Sequence, residues 1–308
     1  MNKLGVLLSI ILSISLIACS QQETSKEGDS NNNKEETTYP NAELLVDTEW
    51  VVENLNDENV HFVDMRAEGY EGGHIPGAAN ITWPEIADPD NEFDGVLLPP
   101  EGFATKMQEI GINVNDTIVI YDDGSSLSAA RLFYALEYYG HQDVKIYNGG
   151  FTAWLHSGND VSTETPEIVV GDFEPTANED LACDIGGIKE AIEDENIVIL
   201  DTRSEGEYNG EDVRAERGGH VPNAVHIEWS EAITEVDGVP TFKSFEDLTE
   251  LYESKGVTKD KTVIPYCQTN VRGAHTYFTL RLLGYDSIMP YEGSWAEYGN
   301  TPEAKIEK

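Results

Sequence analysis

The chain has 308 residues, enough for two ordinary domains, and 39% of them are hydrophobic, as in a soluble globular protein. With 58 acidic residues against 19 lysines and arginines, a formal charge of −39 argues against nucleic acid or an anionic membrane surface as partner. Three cysteines supply neither a disulfide framework nor a four-ligand zinc cluster.

The chain opens on Met1-Asn-Lys3, an uncharged apolar run from Leu4 to Ala18, and then Cys19. That run is shorter than the roughly 20 residues needed to cross a bilayer core, but it suits the apolar region of a secretory signal. Leu16-Ile17-Ala18-Cys19 resembles the bacterial lipobox, which implies cleavage before a lipidated Cys19. Residues 1–18 are therefore read as a signal peptide and Cys19 as a lipid anchor that holds the protein outside the cytoplasmic membrane. Residues 20–38 contain no large apolar residue, so 19–40 reads as a disordered tether that cannot bury enough surface to offset its ordering entropy.

From residue 41 the chain says nearly the same thing twice. Val60-His-Phe-Val-Asp64-Met-Arg66 answers Ile197-Val-Ile-Leu-Asp201-Thr-Arg203, and Gly73-His74-Ile-Pro-Gly-Ala78 answers Gly219-His220-Val-Pro-Asn-Ala224. Thr117-Ile-Val-Ile-Tyr121 answers Thr262-Val-Ile-Pro-Tyr266, and Tyr147-Asn-Gly-Gly-Phe151 answers Tyr291-Glu-Gly-Ser-Trp295. A repeat this long is a domain duplication. The copies span 41–160 and 183–305, joined by an acidic, proline-containing linker at 161–182. In the first copy, helical or β-branched stretches alternate over Asp47–Asn56, Val60–Asp64, Phe103–Ile110, Thr117–Tyr121, Ser126–Tyr139 and Val144–Tyr147. Such alternation predicts an α/β fold, each copy a mainly parallel sheet flanked by helices with a core of its own.

The duplication is also an internal control. Asp64, Arg66 and His74 recur as Asp201, Arg203 and His220, so these six are read as structural support. Aligning Tyr121 with Tyr266 sets Asp122 opposite Cys267, and only the second copy has a thiol there. Cys267 ends a predicted strand just before a helix, where open α/β sheets bind ligands. The loop Gln268-Thr269-Asn270-Val271-Arg272 should turn its N–H groups and the helix N-terminus toward the sulfur, favouring negative charge there. Asn270 suits a left-handed turn, and Arg272 offers a two-pronged grip on an anion. Cys183, at the start of a helical stretch, reads as a packing residue.

These motifs together, over residues 41–305, resemble the tandem rhodanese-type sulfurtransferases. The resemblance implies an inactive first domain, a catalytic second domain, and a site facing the cleft between them. It implies that Cys267 takes a sulfur from thiosulfate as a persulfide and passes it to cyanide or a thiol, with Gln268 to Arg272 binding substrate and no metal or organic cofactor. Two departures bear on the donor: Gln268-Thr269 is neither the basic pair of thiosulfate users nor the small pair of 3-mercaptopyruvate users, and an anion-binding arginine position falls on Glu207. Arg214 and Arg217 nearby read as surface residues. A related phosphatase would place five residues between cysteine and arginine; here there are four. A rhodanese-like binding module at the cell surface, without catalysis, is the alternative of another class, and it would not require Cys267.

Overall fold

The computed structural model describes residues 38–308, so the expected signal peptide, Cys19 and the tether up to residue 37 lie outside the described residues. The tether cannot extend to residue 40 as expected. Tyr39 donates its hydroxyl to the Lys243 carbonyl and sets its ring edge-on to Phe245 at 6.4 Å, while Pro40 lies against Gly284. Burial of an aromatic ring offsets the entropy of ordering this end.

The first copy runs β1 (Leu45–Val46), α1 (Thr48–Asn54), β2 (Val60–Asp64), β3 (Ala79–Asn80), α2 (Pro100–Glu109), β4 (Thr117–Tyr121), α3 (Leu127–Tyr138), β5 (Val144–Tyr147) and α4 (Gly150–His156). The second runs α5 (Ile185–Ala191), β6 (Ile197–Asp201), α6 (Glu205–Tyr208), β7 (Val225–His226), β8 (Ile233–Val236), β9 (Val239–Phe242), α7 (Phe245–Glu253), β10 (Thr262–Tyr266), α8 (Val271–Leu282) and α9 (Ser294–Tyr298). Matching caps start the copies: Asp47 accepts from the Trp50 N–H, and Asp184 from the Gly187 N–H, satisfying first-turn donors.

The first sheet has the order β1-β5-β4-β2-β3, every pair parallel. The second keeps the parallel centre β10-β6-β7 and reduces the outer places to single bridges, Cys183–Tyr291 and Val263–Ile288. Strands buried on both faces send alternate residues to opposite layers. Phe62, Val119 and Tyr121 pack in an outer layer of the first copy, and Ile199, Ile264 and Tyr266 in an outer layer of the second. Val63, Ile118 and Ile120 instead share one inner layer with Val198, Leu200 and Val263.

That shared layer departs from the expectation of a separate core in each copy. Its centre is α3 against α8, with Phe133 edge-on to Phe278 at 4.8 Å and Tyr134 edge-on to Tyr277 at 5.2 Å. Residues Ala129 to Leu136 are buried without interruption, so α3 is covered on every face, and a helix of that kind belongs between layers. The linker is irregular but strapped to the first copy: Ser162 pairs with His74, Phe173 is buried against Phe103, and the Thr176 N–H donates to the Tyr139 carbonyl.

Candidate active site

β10 lies in register with β6, Tyr266 opposite Asp201, and delivers Cys267 to the carboxyl edge of the second sheet. Cys267 is 1% exposed. Asn270 then takes φ 57°, and this left-handed residue turns the chain directly into α8. The loop is stitched to α9 from below. The Trp295 N–H donates to the Cys267 carbonyl at 2.9 Å, the Ala296 N–H to the Gln268 carbonyl at 2.9 Å, and the Cys267 N–H to Ser294 Oγ at 3.3 Å.

Asp201, Arg203 and His220 lie beneath this loop. Asp201 accepts from the Arg203 guanidinium and from the Tyr266 hydroxyl at 2.5 Å, while Arg203 also donates to the Gly219 carbonyl and covers the Trp295 ring at 4.2 Å. His220 stacks on Tyr208 at 3.7 Å and is hydrogen-bonded through Nδ1 to the Tyr208 carbonyl. Asp64, Arg66 and His74 repeat this arrangement around Gly73, Phe151 and Tyr70.

The open two-pronged grip expected of Arg272 is taken. Its Nη1 and Nη2 donate to the two carboxylate oxygens of Glu207 at 2.5 and 2.9 Å. Glu207 is 1% exposed, and a carboxylate so buried must be paired. Burial alone would raise its pKa, but bonds from Arg272 and from Ser204 bring it down to about 2, so it stays ionised. Burial also opposes the charge on Arg272, which Glu207 and the neighbouring Cys267 sulfur outweigh, holding it firmly protonated.

Arg214 and Arg217 divide. Arg214 is exposed, with Nε 3.7 Å from Glu207 and 3.2 Å from Asp212, while its carbonyl accepts from Gln268 Nε2, which places it at the rim of the loop. Arg217, expected at the surface, turns away and donates to the carbonyls of Tyr298, Gly299, Thr301 and Ala304, so it anchors the C-terminal segment. Cys183 is buried before α5, its pKa pushed up to about 12 by burial and then by Asp184, which keeps the thiol inert. It lines a cavity of about 620 Å³ between the copies that Glu292 also borders.

The first copy shows what this loop geometry can hold. Asp122 occupies the position of Cys267, and its carboxylate accepts the N–H groups of Gly124, Ser126, Ser128 and Ala129 at 2.9, 2.9, 3.0 and 3.3 Å. Ser126, like Asn270, is left-handed at the head of its helix, with φ 61°. The strand-to-helix turn is thus an anion cradle, with N–H donors and a helix end converging on one point. In the second copy Val271 opens α8 and Thr269 lies against Gly95 of the first copy.

Glu292 and Ser294 also belong to the site, and sequence reading missed them. Both differ from their counterparts Asn148 and Gly150, so the comparison of copies that singled out Cys267 held the signal.

Residues 47–157 and 186–301 each match the rhodanese-like domain. The sulfur carrier protein TtuD of Thermus thermophilus is 37% identical over 288 residues, spanning 88% of this chain and 98% of its own. The thiosulfate sulfurtransferase of Corynebacterium glutamicum is 31% identical over 286 residues, 87% of this chain and 92% of its own. Among solved structures, the Escherichia coli 3-mercaptopyruvate sulfotransferase SseA superposes with a TM-score of 0.75 at 26% identity, over 82% of this chain and 99% of its own. The anaerobic ergothioneine biosynthesis enzyme from Chlorobium limicola shares the fold at a TM-score of 0.78 and 24% identity, over 88% and 71%. With both copies matched and relatives aligned along almost their full length, the chain belongs to the rhodanese-like domain family and carries the domain twice.

Proposed function

We propose that the protein is a sulfurtransferase whose second copy moves a sulfane sulfur from thiosulfate, or a similar donor, to a thiol or cyanide through Cys267. The observation that carries this reading is the replacement of Asp122 by Cys267 at the head of an anion cradle: the first copy fills its cradle with a fixed carboxylate, the second with an ionisable nucleophile. The Cys267 thiolate attacks the outer sulfur of thiosulfate. A new sulfur–sulfur bond forms as the donor's own sulfur–sulfur bond breaks, its electron pair leaving on sulfite. The acceptor then attacks the outer sulfur of the Cys267 persulfide and restores the thiolate; cyanide becomes thiocyanate.

Thiosulfate stands first because it is named for several relatives of similar length. 3-Mercaptopyruvate is the second reading, supported by the likeness to the E. coli enzyme. A panel of donors followed by mass spectrometry of Cys267 tests both: one added sulfur on that residue identifies the donor, and no addition from any donor sinks the reading. Phosphate release from an aryl phosphate would point to phosphatase chemistry instead. Binding of a partner by the Cys267→Ser protein without any turnover in the wild type would favour a pure binding module.

The proposed setting is extracytoplasmic, with lipid on Cys19, supported by the apolar leader and Leu16-Ile17-Ala18-Cys19. Cys19→Ala should then release the protein from membranes or leave an unprocessed precursor. Wild type that takes up no labelled palmitate would remove this part of the reading.

A further inference from the structure

We propose that Arg131, a residue of the first copy, is a positioning residue for the cysteine loop of the second, acting through Glu292 and Asn270. The chain of contacts is short. Asn270 Nδ2 donates to Glu292 Oε2 at 2.6 Å. Arg131 grips the same carboxylate, Nη2 to Oε1 at 2.6 Å and Nη1 to Oε2 at 3.2 Å, while also donating to the Gly95 carbonyl at 2.5 Å. The Leu97 N–H completes the set, donating to Glu292 Oε1 at 2.8 Å. Arg131 is 1% exposed and Asn270 fully buried, while the Glu292 side chain is 18% exposed, so either buried partner left unpaired loses a bond it cannot readily replace.

Asn270 is the residue whose left-handed backbone turns the Cys267 loop into α8. Its side-chain oxygen finds no hydrogen-bond partner among the described residues and lies over Gly273, where a Cβ would come within 2.4 Å. The bond to Glu292 is therefore what orients the amide and, with it, the loop. Arg131 adds a charge effect: it neutralises a carboxylate that would otherwise stand against the loop meant to hold a thiolate.

The relay runs one way. α3 and α8 start at equivalent left-handed residues, Ser126 and Asn270, which places His275 opposite Arg131. His275 is a buried ring whose approach to the Ser125 backbone falls short of hydrogen-bond geometry. Asn148, opposite Glu292, is a neutral amide that accepts from the Phe242 N–H. The copy without the thiol thus supplies the support, and the copy with it receives it.

The proposal rests on Cys267 being the reacting group, so the test pairs turnover with a direct reading of that thiol. Arg131→Met should lower kcat by about 100-fold, the scale of a 1 Å misplacement, with a smaller change in KM. It should also change the rate of Cys267 alkylation by iodoacetamide at fixed pH. Arg131→Lys keeps the charge but loses the fork, and should fall between. Arg131→Met with Glu292→Gln removes the stranded carboxylate while leaving Asn270 an acceptor, and should recover kcat by about five-fold or more over Arg131→Met alone. A folded Arg131→Met or Arg131→Lys protein with wild-type turnover and wild-type alkylation overturns the relay. So does a double variant with no recovery. If Arg131→Met does not fold, the lysine variant decides, against wild type. Should Cys267→Ser retain transfer, the functional reading fails, while the alkylation rates still report on the relay.

Discussion

Residues 121–129 and 266–273 form the same device with different occupants. Both leave a parallel strand at a tyrosine, pass through a left-handed residue and enter a long buried helix. In the first, Ser126 follows Tyr121 by five positions, and the extra residue lets the Asp122 carboxylate collect four N–H donors. Val239 and Pro240 of the β8–β9 hairpin then close over it: a Cβ on Gly149 would meet Val239 at 2.7 Å, and one on Gly124 would meet Pro240 at 3.3 Å. In the second, the turn is one residue shorter, Cys267 replaces the carboxylate, and Gly95 and Leu97 of the first copy lie alongside. The capacity to hold an anion thus belongs to the fold. The first copy fills it with its own carboxylate as a structural plug, whereas the second carries a thiol, which the proposed function uses to bind and release sulfur.

The largest effect expected of this contrast is on chemistry. Cys267→Ser should lower sulfur transfer to cyanide by at least about 1,000-fold with the melting temperature nearly unchanged, because a serine hydroxyl is not ionised near neutral pH and forms no persulfide. Cys183→Ser should keep most of the activity. Equal losses from the two would end the distinction between the thiols. In the reverse direction, Asp122→Cys placed in the Cys267→Ser protein should create no transfer activity, since its cradle is covered by Val239 and Pro240.

The next effect is on stability. Asp122→Ala strips four N–H groups of their acceptor, and at about 1–3 kcal/mol for a buried donor left unpaired, partly relieved by relaxation, the loss should be about 2–4 kcal/mol. Denaturant unfolding would read it, and specific activity per folded molecule should hold. A variant as stable as wild type would mean the carboxylate does not serve as the plug.

The three longer strands of the first copy and its helices α1 to α3 were legible because each is a bounded, strongly patterned run, and Val60–Asp64, Thr117–Tyr121 and Val144–Tyr147 have the expected bounds; β1 and β3, two residues each, and α4 went unread. Cys267 was legible for a different reason, as a difference within a repeat. What escaped is tertiary pairing. Arg272 meets Glu207 across 65 residues and Arg131 meets Glu292 across 161, and nothing local to any of the four announces its partner. The shared inner layer was hidden likewise, since apolar residues on every face of α3 and α8 do not say which neighbour covers them.

Acid should separate the two copies by sign. Burial pushes Asp122 up to about 6 from its ordinary 3.8, against the pull of the loop N–H groups. Between those values the folded chain holds a proton that the unfolded chain has lost, so this group's contribution falls as pH rises through that window. Glu207 behaves oppositely: with its pKa brought from 4.5 to about 2, its contribution is present above 4.5 and lost as pH falls toward 2. At the full shift each window is worth at most about 3 kcal/mol. The difference in unfolding free energy between wild type and variant should therefore change with pH between 4 and 6 for Asp122→Asn and between 4.5 and 2 for Glu207→Gln. The same change in both variants would show that the two sites are not independent.

The smallest effect concerns salt, and it asks which field the donor feels. Thiosulfate is a dianion approaching a chain of formal charge −39, so the far field repels it. Close to Cys267 the cations are largely matched, Arg272 by Glu207 and Arg214 by Asp212, which leaves the end of α8 and, by analogy with the first copy's cradle, the loop N–H groups as the main local attraction expected. These act over a few ångströms, whereas the repulsion acts over the Debye length, about 30 Å at 0.01 M salt and about 8 Å at 0.15 M. Moderate salt should screen the repulsion first, so kcat/KM for thiosulfate should rise by about two- to five-fold over that range, and less for an uncharged sulfur donor. Chloride must be compared with a bulkier anion, because an ion that enters the cradle competes with the donor and masks the rise. Glu207→Gln sharpens the comparison: by leaving Arg272 unmatched it adds local attraction and should flatten the response. A steady fall with salt for thiosulfate alone would mean that positive charge governs the approach. Arg217 is committed to carbonyls, so that charge would have to come from the exposed Arg214, and Arg214→Ala should then abolish the fall.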